Sequence, residues 1–79
     1  MNAITEMVLS DIEEGSAVVV KRINGGDHLK SKLLSMGIIP EQKISIVKKS
    51  GDRGPVVVRL NNTRIIIGHG MAEKITVSI

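Results

Sequence analysis

Apolar residues recur along this chain with two periods, and the change from one to the other locates its elements. After Ile38, Ile39 and Pro40 the period is two: Ile44 and Ile46, then Val56, Val58 and Leu60, then Ile65 and Ile67, then Ile75, Val77 and Ile79. Successive side chains of a strand point to opposite faces, so each run predicts a half-buried strand. Ser50 to Gly54 reads as a turn with Pro55 opening the next strand, and Asn61-Asn62 suits a tight hairpin that needs positive φ. Met71 to Lys74 leaves room for one helical or 3-10 turn.

Earlier in the chain, Leu9 and Ile12 sit three apart before Glu13, Glu14 and Gly15, a turn that launches a first strand over Ala17 to Val20. Val18 and Val20 share one face of it, and Ile23 falls out of the alternation, which predicts an end or a bulge near Arg22. After the turn Asn24-Gly25-Gly26 the period becomes helical. Leu29, Leu33 and Met36 recur at i, i+4 and i+7, with Asp27 as N-cap and Gly37 as the C′ stop. Leu34 lies about 140° around that helix from Leu29, away from the apolar seam and among Lys30, Ser31 and Lys32.

Five strands and one helix in so short a chain hide their apolar faces best by curling into a barrel. The expected fold is mainly β, a small SH3-like barrel of about five strands with one short α-helix after the first strand; an open sheet with the helix across one face is the alternative. The length of 79 residues makes residues 1–79 one domain, which buries only about 60 to 65% of its unfolded surface. Hydrophobic residues at 42% against charged residues at 24% fit a globular chain, and the absence of aromatics leaves Val, Ile, Leu and Met to build the core.

Composition also removes several functions. Without cysteine there is neither a disulfide framework nor a thiolate metal site. No apolar run approaches the roughly 20 residues that span a bilayer, and MNAITEMVLS lacks a basic segment followed by a long apolar one, so a cytoplasmic location is expected. The net charge of +3 comes from 11 Lys and Arg interleaved with 8 Asp and Glu. A small nucleic-acid-binding barrel is a further alternative, but the chain offers no aromatic platform for stacking bases, so no nucleic-acid partner is expected.

Candidate chemistry is sparse. Asn24-Gly25-Gly26-Asp27 followed by Lys30-Ser31 evokes a phosphate loop, but Leu29 occupies the position of that loop's second glycine and Asp27 would repel an anion. His69 and Glu73, four apart, and distant His28 are the candidate metal ligands; a selective site needs three or four converging donors. No cofactor is expected beyond a divalent ion held there. No serine stands in a nucleophile elbow, and the acidic residues lie in turns or at helix starts, so no enzyme is expected. Lys43, Lys48, Lys49, Arg53, Arg59 and Arg64 lie on or between neighbouring strands, where they form a solvated charged face or steer the chain to an acidic partner or a membrane surface.

The turn at Gly15, the strand with Val18 and Val20, the Gly25-Gly26 turn, the helix end Leu33-Leu34-Ser35-Met36-Gly37 followed by Ile38-Ile39-Pro40, and the closing Ala72, Ile75 and Val77 together resemble the ferrous iron transport protein A family. The resemblance runs from about Leu9 to Val77. The chain carries Glu41 where the family usually has glycine after the proline, Lys32 where it favours arginine, and Gly68-His69 near a last strand that is often basic. The resemblance implies an SH3-like barrel acting as a cytosolic accessory or regulatory binding module for a ferrous iron transporter, a membrane permease with a GTPase domain. Contact with the membrane would then run only through that partner, and self-association stays open beside it. A sensor or carrier of Fe2+ is the alternative. The expected partner surface is Leu34, Gly37, Ile38 and Ile39, with Lys30 and Lys32 steering the approach.

Overall fold

The computed structural model describes residues 6–79, so residues 1–5 of the expected single domain lie outside the described residues. Eight elements follow in order: β1 (Glu6–Val8), β2 (Ala17–Ile23), α1 (Asp27–Ser35), β3 (Lys43–Lys49), β4 (Val56–Leu60), β5 (Thr63–Ile67), α2 (His69–Ala72) and β6 (Ile75–Ser78), with a 3-10 turn at Leu9–Asp11 after β1. The strands pair antiparallel in the order β1-β6-β2-β3-β4-β5. This sheet wraps one apolar core of Leu, Ile, Val and Ala side chains, an SH3-like barrel with α1 packed onto it through Leu33.

Six strands stand where about five were expected. β1 adds the sixth by pairing Glu6, Met7 and Val8 with Ser78, Val77 and Thr76; three residues are too few to display a period. Its presence also changes β6, which is buried along its whole length rather than on one face. β6 lies between β1 and β2, and Thr76 satisfies its hydroxyl by accepting a hydrogen bond from Asn24 Nδ2 at 2.7 Å. Ile79 follows β6 and is exposed, not a third inward residue beside Ile75 and Val77.

The irregularity expected near Arg22 is a bulge: Val20 pairs with Val77 but Arg22 with Thr76, and β2 continues to Ile23. A second bulge lies between Ile46 and Lys48 of β3. Each extra residue bends its strand and increases its twist, which helps a six-stranded sheet to curl.

Gly26, not Asp27, is the N-cap of α1; it is extended at φ −77° and ψ 179°, and Asp27 is the first helical residue. Its carboxylate sits in the first turn, where the helix dipole favours negative charge. The other end closes as read from the sequence. Gly37 takes φ +87° and donates to the Leu34 carbonyl at 2.9 Å, while Ile38 N–H donates to the Leu33 carbonyl at 2.9 Å. These two bonds form a Schellman motif, in which the residue after glycine turns back to meet the helix.

Glu41 follows Pro40 with φ +71°, a left-handed conformation held by its N–H donating to the Val20 carbonyl at 2.7 Å. The tight turn thus forms without the glycine found there in the family that the sequence resembles, and the strain falls on a residue with a Cβ. Its carboxylate meets Lys21 Nζ at 3.3 Å, an exposed ion pair worth little. Glu41→Gly is expected to raise stability by about 0.5–1 kcal/mol, because relief of the left-handed strain exceeds the added freedom of the unfolded chain. Urea unfolding checks this, and a fall in stability would show that the Lys21 contact outweighs the strain.

Candidate functional site

The end of α1 and the segment after it gather apolar side chains at the surface around a concavity. The 3.6-residue period turns Leu33 into the core and leaves Leu29 and Met36 half-buried against it. Leu34, off that seam, is 62% exposed. The Schellman turn then drives Ile38 inward, where it is fully buried, and leaves Ile39 at 39% exposure and Pro40 outside. The C-terminal end of β2 supplies the facing wall. The result is a surface cleft of about 310 Å³ lined by Arg22, Ile23, Lys30, Leu34, Ile38, Ile39 and Pro40.

Charge stands at the rim of this apolar cleft. Arg22 is engaged by Glu6, with Nη2 to Oε1 at 2.6 Å and Nη1 to Oε2 at 3.3 Å. Lys30 has no carboxylate within 4 Å among the described residues. The cleft therefore presents aliphatic surface beside one unneutralised cation, a combination that suits an apolar side chain flanked by an acidic group.

Of the six residues expected to meet a partner, the fold brings Lys30, Leu34 and Ile39 to the cleft wall. Ile38 departs from the expected exposed patch: it forms the floor and offers no surface of its own, because the glycine turn aims it at the core. Gly37 is half-buried, close enough to β4 that a Cβ there would meet Leu60 Cδ2 at 2.8 Å, and it and Lys32 lie outside the cleft lining. Arg22, Ile23 and Pro40 complete the lining and were not among the residues expected to meet a partner. Ile23 left a trace in the sequence: the bulge between Val20 and Arg22 shifts the alternation of the strand, so that Ile23, opposite Ile75, packs half-buried against the core while lining the cleft.

His69 and Glu73 meet across one turn, with Nε2 to Oε2 at 3.4 Å. His28 stands exposed in the first turn of α1, and no group of three or more candidate ligands forms among the described residues. Gly25 explains itself by packing: a Cβ there would lie 2.5 Å from Leu29 Cδ2, so the glycine turn lets the helix side chain close over it. None of the described helices is long and apolar enough to cross a membrane.

The FeoA domain model matches residues 7–79, nearly the whole chain. The chain belongs to the FeoA family. A relative from Methanocaldococcus jannaschii named "Putative Fe(2+) transport protein A" is 36% identical over 69 residues, covering 87% of this chain and 82% of the relative. Among solved structures, an iron uptake regulatory protein (FeoA) superposes with a TM-score of 0.87 at 30% identity, covering 94% of this chain and 97% of that one. A manganese-dependent transcriptional repressor gives the same TM-score of 0.87 at 18% identity over 43% of its length, a likeness of fold alone. Against this FeoA frame, the glycine-terminated helix and the turn at Glu41 together shape the cleft: the first sets the depth of Ile38, the second the return of the chain to β3.

Proposed function

We propose that this chain is an accessory binding module of a ferrous iron uptake system, which acts by docking on the cytosolic part of a membrane-embedded ferrous iron transporter with a GTPase domain. The observation that carries this reading is the cleft: a leucine held 62% exposed by its helix, beside Ile39 and Pro40, over a concavity of about 310 Å³. Single exposed leucines are ordinary, but apolar side chains grouped around a concavity mark interaction surfaces. The names of the relatives supply the context of Fe(2+) transport, and the site offers association rather than bond-breaking chemistry.

Lys30 at the rim gives a direct test. Immobilised protein is expected to capture the transporter from detergent extracts. Lys30→Glu should lower that capture several-fold, mainly by slowing association, since a rim charge acts on approach more than on the docked state. It should leave the melting temperature within a few degrees, as for most surface changes. Capture unchanged by Lys30→Glu would place the docking surface away from this cleft.

A further inference from the structure

The outer face of β3, β4 and β5 carries a charge asymmetry that the cleft does not use. These three strands hold Lys43, Lys48, Lys49, Arg59 and Arg64 and not one Asp or Glu. Register gathers most of that charge on one surface. Arg59 pairs directly with Arg64, and in the neighbouring row Lys48 pairs with Val57 and Val57 with Ile66. Lys43 stands two residues before Ser45, which pairs with Arg59. All four of these cations are exposed, and none has a carboxylate within 4 Å among the described residues. Like charges directly opposite on adjacent strands repel, so the Arg59–Arg64 pair is a cost to the fold that an anionic ligand would relieve. Beside it, Ile66 is 65% exposed, a large aliphatic group standing outward from a cationic face.

We propose that this face docks directly on the anionic surface of a phospholipid bilayer, with the four cations against lipid phosphates and Ile66 entering the headgroup boundary. Cations read the negative surface potential of such a leaflet, and an aliphatic side chain among them gains burial that a polyanion in water does not offer. Duplex or single-stranded nucleic acid would satisfy the charges but leave Ile66 exposed, and the chain has no aromatic side chain to stack on bases. The face would hold the module at the membrane independently of the cleft and of any transporter.

Co-sedimentation with vesicles of phosphatidylcholine, with and without phosphatidylglycerol, tests this on the full chain without any protein partner. Binding is expected only with phosphatidylglycerol and is expected to weaken as salt is raised. Each cation near such a surface changes partitioning roughly fivefold, so Arg64→Glu, which alters the charge by two, should lower it roughly 25-fold. The same substitution turns the repulsive cross-strand pair into an attractive one, so its melting temperature should rise while binding falls. Ile66→Ser should also weaken binding, with the salt dependence retained. Lys32→Glu makes the same change in net charge on α1, outside the face, and should cost less than Arg64→Glu. Equal losses for Arg64→Glu and Lys32→Glu, equal binding to neutral vesicles, or binding to oligonucleotides but not to vesicles would each overturn the proposal.

Discussion

Leu33→Ala is expected to lower the melting temperature by more than about 10 °C. Leu33 is fully buried and is the one α1 residue entirely within the core, and its carbonyl accepts from both Met36 N–H at 3.0 Å and Ile38 N–H at 2.9 Å. Truncating such a leucine removes its transfer free energy and leaves a cavity, together about 2–5 kcal/mol. A domain of this size loses roughly 4–8 °C for each kcal/mol, and its whole stability is on the order of 5–10 kcal/mol. The loss is thus a large share of what holds the chain folded. Far-UV circular dichroism or calorimetry is the appropriate readout, because the chain has no Trp, Tyr or Phe to report by fluorescence. A drop no larger than that of Lys32→Ala, an exposed residue on the same helix, would mean that α1 does not anchor on the barrel through this side chain.

What the sequence disclosed depended on whether a pattern was local. Inward faces such as Val18 and Val20, Ile44 and Ile46, or Val56, Val58 and Leu60 are set by a period of two and are buried in the structure. The glycine stop of α1 was legible because only a residue without Cβ takes φ +87° readily. Pairing across long stretches of sequence was not legible. β1 exists because Met7 lies opposite Val77, and Thr76 and Ser78 are buried because β1 and β2 flank them; neither fact leaves a mark on residues 6–8 or 75–78 alone. The cleft divides in the same way. Leu34 showed itself by helical angle, whereas the inward turn of Ile38 follows from the six-to-one hydrogen bond of the Schellman motif, and the contribution of Arg22 and Ile23 follows from where the bulge carries the end of β2.

Leu34→Glu is the substitution expected to separate binding from folding. Leu34 sits one residue beyond Leu33 on α1, but the 100° step between them takes it from full burial to 62% exposure. A glutamate there keeps good helix propensity and meets solvent, so stability should change by no more than about 0.5 kcal/mol. On the docking surface proposed above, the same change places a carboxylate among Ile39, Pro40 and Ile23. A partner that buries its own apolar group in this cleft would have to desolvate that charge beside it. An unpaired buried charge at the centre of an interface costs several kcal/mol, or at least a hundredfold in affinity. Capture of the transporter from detergent extracts should therefore vanish, and ferrous iron uptake by cells relying on the variant should fall with it. Leu34→Met, which keeps an apolar side chain of similar volume, should retain both. If Leu34→Glu protein unfolds, its side chain belongs to the core and the cleft has no free wall; if it folds and still supports uptake, docking uses another surface. A variant that folds and binds vesicles of anionic lipid as the parent does, yet fails to capture the transporter, would locate the protein contact at the cleft and the lipid contact on the sheet around Arg59 and Arg64.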